Sequence, residues 1–302
     1  MTAAAPPAAR AGRPDLTTKA LAGRRRFTNH LATAAIWFAV LLAVVPLGLV
    51  TYTVLVKGAG VMSWAFLTED IPHSYRRAGG GMAPAIIGTL LITGMASLMA
   101  IPLGVFGAIY LNEYGKQKPL ARFIRIMADV MTGVPSIVMG LFIYIAWVLA
   151  VRQFSGFAGS LALACLMLPV VIRSSEVMLR LVPDELRQAS MALGARKWRT
   201  TLTVVLPAAI SGITSGSLLA VARAAGETAP IIIVTGIVSS TNWNLFDGNN
   251  TALPAQIFRN ASQPFPGAQA RAWGAALTLI VIVVGFTIIA RLIASRFAIK
   301  ER

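Results

Sequence analysis

Residues 182–212 read VPDELRQASMALGARKWRTTLTVVLPAAISG, a polar stretch set between two long apolar ones. Pro183 suits the first turn of a helix, where its missing N–H is not needed. Asp184 and Glu185 then place negative charge at the positive end of that helix. Gly194 is able to end it in the left-handed conformation. Arg196, Lys197, Trp198 and Arg199 open a second helical segment that runs into apolar residues 200–222. A short helix, a sharp turn and another helix result. Taken by itself, such a hairpin suits an amphipathic element lying on a membrane surface.

The flanks establish that there is a membrane. A helix needs about 20 mostly apolar residues to cross about 30 Å of hydrocarbon. Intervals without Lys, Arg, Asp or Glu occur at 31–56, 78–112 (apolar from Ala85 to Leu111), 130–151, 153–172 (apolar from Phe157), 200–222 and 272–290 (from Trp273). The fifth extends through 228–246 if Arg223 and Glu227 are tolerated. The expected organisation is all-α: a disordered basic tail over 1–30, a six-span domain over 31–296, and a tail over 297–302. The spans fall near 31–56, 85–111, 130–151, 157–179, 208–238 and 273–294, with the hairpin loop at 182–207. Thirty residues precede the first apolar run, which also exceeds the length of a signal h-region, so no cleavable signal is expected there. Pro46, Gly94, Pro102, Gly104, Pro135 and Pro169 inside the spans are ordinary between packed membrane helices.

Composition agrees. The chain is 56% hydrophobic and 13% charged, with a mean hydropathy of +0.71, whereas soluble domains run near 45–50% and about 25%. One cysteine, Cys165, excludes an intrachain disulfide framework, and two distant histidines, His30 and His73, argue against a zinc enzyme. The net charge of +16 has two possible sources, nucleic-acid binding or membrane topology. Distribution decides. Twenty basic residues fall in 1–30, 113–125, 173–199 and the C-terminal end, against six on the opposite side. The positive-inside rule then places both termini in the cytoplasm of a multi-pass plasma-membrane protein, and charge dispersed over four loops does not describe a nucleic-acid face.

The spacing within the 182–207 loop resembles the coupling-loop signature of ABC-importer permeases: Glu-Ala-Ala, three residues, Gly, nine residues, Ile, one residue, Leu-Pro. Gln188, Ala189, Ser190, Gly194, Val204, Leu206 and Pro207 fill those positions. Gln188 replaces the family's Glu, losing a charge while keeping size and hydrogen bonding, and Ser190 replaces its second Ala. The resemblance implies a type I ABC-importer permease (MetI-like) fold, in which this loop docks on an ATP-hydrolysing subunit and transmits its closure. Residues 132–142 (TGVPSIVMGLF), 222–230 (ARAAGETAP) and 252–258 (ALPAQIF) are similar to the phosphate-specific branch, and Ala229-Pro230 to its A-type (PstA) subfamily. The similarity covers roughly Pro84 to Arg296. It implies as partners a C-type phosphate permease subunit, an ATP-binding subunit dimer and an extracytoplasmic phosphate-binding protein, besides membrane lipid. No cofactor is expected on this chain, ATP and Mg being used by the partner ATPase.

Arg223 and Glu227 stand four apart, on one face of a helix, and charge within a span faces a partner or an aqueous path. Two readings stay open. The pair reads either as a lock within the bundle or as a substrate site where the guanidinium fork meets a tetrahedral oxyanion while Glu227 orients it. Asp129 reads as interfacial, and Arg173 and Glu176 as part of a cytoplasmic vestibule. No G-x-x-x-x-G-K-[ST] occurs, so energy must come from another polypeptide. The sequence thus predicts a permease subunit for inorganic phosphate rather than an enzyme. A same-fold permease for sulfate, molybdate or phosphonate is the first alternative; an ATP-independent carrier or channel is the second, and a carrier has no use for the coupling loop.

Overall fold

The computed structural model describes residues 23–297. Of the expected tails, 1–30 and 297–302, residues 1–22 and 298–302 lie outside the described residues; residues 23–30, expected to be disordered, instead form the start of the first helix, and Phe297 ends the last. The elements are α1 (Gly23–Ala59), α2 (Trp64–Thr68), α3 (Ala83–Ile109), α4 (Pro119–Gly133), α5 (Ser136–Ile143), α6 (Leu149–Val151), α7 (Gly156–Arg180), α8 (Asp184–Ala192), α9 (Lys197–Thr200), α10 (Leu206–Ala225), α11 (Ala229–Val234), α12 (Leu253–Ala261) and α13 (Pro266–Phe297). Among the described residues there is no strand, as lipid requires of anything short of a closed barrel. Wide π-helical turns extend α3 at Tyr110–Tyr114, join α5 to α6 at Tyr144–Val148 and join α9 to α10 at Thr201–Val205.

The described residues up to Thr53 and those from Val54 onward form two units. The first contains most of α1, whose exposed Trp37, Phe38, Leu42 and Leu49 give it an apolar surface suited to lipid. In the second, α3 and α7 lie along one another, and α10 packs on both α7 and α13. Its core joins Ile92, Ala96 and Ala100 of α3, Leu163, Met167 and Val171 of α7, and Ala220, Val221 and Ala224 of α10. Small residues set these distances, because in lipid helices are held by close packing rather than by a hydrophobic drive. Gly88 is the extreme case: a Cβ there would stand 1.8 Å from the carbonyl oxygen of Thr251. Beside it, Thr89 Oγ1 accepts the N–H of Leu253 at 2.8 Å and fixes α3 against the start of α12.

Among the described residues, five helices are long and apolar enough to cross a membrane, and a bent pair makes a sixth if counted as one span. That pair departs from the expected continuous 130–151. Pro119–Gly133 and Ser136–Val151 meet at 107°, because Pro135 offers no N–H and forces Val134 into an extended conformation, φ −72° and ψ 128°. The fifth span also differs. Its helix runs over Lys197–Ala225 and ends well before the expected 238. Gly226 caps it, and the separate α11 begins at Ala229 with Pro230 in its first turn. The apolar run that follows is spent on burying Ile231 and Val234 inside the bundle, not on prolonging the helix.

Candidate translocation site and coupling surface

The two helix breaks lie side by side. α5 packs against α11, so closely that a Cβ on Gly140 would come within 2.6 Å of Pro230 Cα. Between the breaks is a cavity of about 210 Å³, lined by Thr132, Val134, Pro135 and Ser136 at the α4–α5 bend, by Met167 and Val170 of α7, and by Ala220, Arg223, Ala224 and Glu227. That volume accommodates several waters or one small ion with part of its shell. Parts of the segments 132–142 and 222–230, far apart in sequence, thus line one chamber. The N-terminal end of α5 opens on it. Broken membrane helices characteristically present such positive ends to anionic groups.

Arg223 and Glu227 both line this chamber, but not as neighbours on a continuous buried helix. Glu227 lies beyond the Gly226 cap, held in the last turn by its N–H to the carbonyl of Ala224 at 3.1 Å. The Arg223 side chain is 72% exposed and Glu227 20%, with Nε 3.8 Å from Oε1. This is a loose ion pair, beyond hydrogen-bonding distance. Among the described residues the Arg223 guanidinium has no closer anionic partner, and Arg223 lines the chamber.

The 182–207 loop is the helical hairpin that its residues specify. α8 ends as expected at Gly194, φ +83°, where Ala195 N–H bonds the carbonyl of Ser190 at 3.2 Å and Gly194 N–H that of Met191 at 2.9 Å. This is the Schellman arrangement. Ser190 Oγ and Thr200 Oγ1, 2.9 Å apart, tie the two arms together. Gln188 and Ala189 are exposed, and around them stand Leu186, Met191, Leu193 and Trp198, with Leu193 90% exposed. Apolar residues gathered on an otherwise polar tip mark a protein contact. Val204 falls in the π-helical turn before Pro207, whose missing N–H interrupts the backbone ladder there. Leu206 packs against a cluster that includes Ile109, Leu179, Val205 and Ile213.

Sequence reasoning named Asp129, Arg173 and Glu176 but missed how the charges beneath this loop pair. Glu176, 2% exposed, accepts from Arg125 Nε at 2.7 Å and Arg180 Nη2 at 2.6 Å, and faces Arg173 Nη1 at 3.4 Å. Arg173 in turn pairs with Asp129. Asp129 and Arg173, read separately above, therefore belong to one network, which also includes the carbonyl of Leu111 bonded by Arg125 Nη2 at 2.8 Å. Glu113 and Arg187 form a further buried pair at 3.0 Å. One signal was available: Glu113 directly ends the charge-free interval 78–112.

Residues 100–299 match the family described as binding-protein-dependent transport system inner membrane component. The chain is 44% identical over 271 residues to the phosphate transport system permease protein PstA of Mycobacterium leprae, covering 88% of each chain. It is 42% identical over 287 residues to PstA 1 of Mycobacterium tuberculosis H37Rv (92% of this chain, 91% of that one), and 41% identical over 273 residues to PstA of Yersinia pestis (90% and 92%). The chain belongs to the PstA family. Its fold is that of solved importer permeases. An inward-facing MetNI methionine ABC transporter chain aligns with a TM-score of 0.61 at 17% identity, over 72% of this chain and 96% of that one. A chain of a bacterial alginate importer aligns at 0.60 and 14% identity, over 91% and 100%. A PstA-family permease is a multi-pass membrane subunit and not an enzyme; the ATPase of such an importer is a separate subunit.

Proposed function

We propose that this chain forms, with a C-type permease subunit, the path by which inorganic phosphate enters the cell, driven by an ATP-binding subunit dimer engaged through residues 182–207. An extracytoplasmic phosphate-binding protein delivers the anion. The chain itself holds no cofactor, since ATP and Mg belong to the partner ATPase. One observation carries this reading: Arg223 presents its donors to a chamber built from both phosphate-type segments, at the break of two helices. A doubly hydrogen-bonded, charge-assisted contact is the strong way to hold an oxyanion, and the 3.8 Å spacing to Glu227 leaves the guanidinium free to make it. Glu227 orients the arginine between passages and repels the anion after it.

The deciding experiment is ATP-dependent uptake of labelled phosphate in vesicles containing all the subunits. Unlabelled phosphate should compete, and sulfate and molybdate should not. Equal competition by either would transfer the chain to the broader oxyanion class, and uptake without ATP would remove the coupling.

Orientation is tested separately. With both termini inside, single cysteines in a Cys165→Ala background should react with a membrane-impermeant thiol reagent at Ser74→Cys and Asn249→Cys. Gln117→Cys and Ala192→Cys should stay unlabelled until the membrane is opened. All four positions are exposed, so silence at a site reports its side of the membrane. Labelling of Ala192→Cys in sealed cells would invert the topology.

A further inference from the structure

Arg187 stands in the middle of α8, on the exposed hairpin, yet is only 8% exposed. Its guanidinium points back at the membrane helices with every donor engaged. Nε and Nη2 donate to Glu113 Oε1 at 3.2 and 3.0 Å. Nη2 also donates to the carbonyl of Leu179 at 2.8 Å. Nη1 donates to the carbonyl of Val182 at 2.5 Å and to Asp184 Oδ1 at 3.1 Å. Five bonds use the five N–H groups that an arginine has.

The acceptors come from different elements. Glu113, 6% exposed, lies in the π-helical turn that ends α3, where Asn112 Nδ2 also bonds its Oε1 at 2.8 Å. Leu179 and Val182 are at the open end of α7, where carbonyls lack partners in their own helix and the dipole is negative. A single planar group therefore closes α3, α7 and α8 on one another, over the apolar cluster of Ala108, Ile109, Leu179, Val182 and Val205. Sliding α8 past α3 would break both bonds to Glu113 and strand a buried charge, a costly displacement. Because a guanidinium is rigid and its donors diverge at fixed angles, rotation about one bond cannot preserve the others.

We propose that Arg187 is a positioning residue that makes the coupling helix and the cytoplasmic ends of α3 and α7 into one rigid lever. Displacement of α8 is then delivered to the α3–α7 pair instead of being absorbed within the loop. α7 extends the lever to the chamber, whose wall includes its Met167 and Val170. This rests on the reading that α8 is engaged by an ATPase.

The test uses the complete transporter in proteoliposomes, with Cys165→Ala in this subunit, and reads phosphate delivered per ATP hydrolysed. Arg187→Gln, and Arg187→Lys with its single point charge, should hydrolyse ATP but lower that ratio by about tenfold or more, within the usual range of coupling between sites. A second arm ties the same elements covalently beside the pin. Lys116 Nζ and Asp184 Oδ1 are 3.9 Å apart on exposed side chains, so Lys116→Cys with Asp184→Cys can be bridged by a short bifunctional thiol reagent. Because Asp184→Cys gives up one of the Nη1 bonds, each double-cysteine subunit is compared with itself before bridging: bridging should not lower the ratio when Arg187 is present and should raise it in Arg187→Gln. The lever is overturned if Arg187→Gln keeps the native ratio, or if bridging stops uptake in a subunit that retains Arg187. Should Arg187→Gln not assemble, the bridge in the Arg187 background decides alone. If the unsubstituted transporter takes up phosphate without ATP, the coupling reading falls first and the lever with it, a result visible before any Arg187 variant is made.

Discussion

Neutralising both members of the chamber pair, Arg223→Gln with Glu227→Gln, should abolish phosphate uptake while the subunit still assembles with its partners. The alternative is a structural lock, and the two ideas differ in what the double variant does. Removing one side of a buried pair costs roughly 3–5 kcal/mol, while removing both together is often near neutral. A lock would therefore be lost in either single variant and largely recovered in the double. A substrate site would not be recovered, because the guanidinium is what the anion meets. The geometry favours the second outcome, with Arg223 72% exposed and Nε 3.8 Å from Glu227. Arg223→Lys should retain the charge, lose the fork and give partial uptake at best. The measurement is uptake of labelled phosphate normalised to assembled complex, and a double variant near wild type would leave only the lock.

Gly194→Val should produce a transporter that hydrolyses ATP and delivers little phosphate. The reason is local. Gly194 has φ +83°, and a Cβ added there would meet no atom within 4 Å, so any effect comes from the backbone and not from crowding. A non-glycine residue in the left-handed region costs roughly 1–2 kcal/mol, and a β-branched one resists it most strongly. The turn would relax toward negative φ and reorient the exposed tip made by Leu193 and Met191. Gly194→Asn provides the control: asparagine tolerates this conformation, so it should transport near the wild-type rate. Gln188→Glu, which returns the family residue at an exposed position, should be tolerated as well. Wild-type coupling in Gly194→Val would remove the hairpin from the coupling path.

Both experiments depend on features that the chain announces to different degrees. The hairpin was legible almost to the residue. Pro183, the acidic first turn and Gly194 act through their own backbone and nearest neighbours, so their meaning is carried by sequence order alone. The same holds for the apolar intervals, since hydrocarbon selects length and freedom from charge whatever the helices later pack against. Arg223 and Glu227 were also visible as charges in or beside apolar runs. Their setting was not: a continuous helix through residue 238 was expected, whereas the chain breaks at Gly226 and turns Ile231 and Val234 into the core.

What the sequence by itself determined is therefore the membrane class, the hairpin and the residues worth suspecting, all matters of composition and short-range spacing. Pro135 breaks the helix locally, but tertiary structure alone decided the 107° angle between the two arms, the meeting of segments 132–142 and 222–230 around one chamber, and the partner of each buried charge. Arg187 shows why. Counted along the chain it is one of the basic residues that set the topology. In the fold it reaches Glu113, 74 positions away, just as Arg125 reaches Glu176 across 51. Charge pairing in a low-dielectric interior is settled by which groups packing brings within about 3 Å, and no local pattern records that distance.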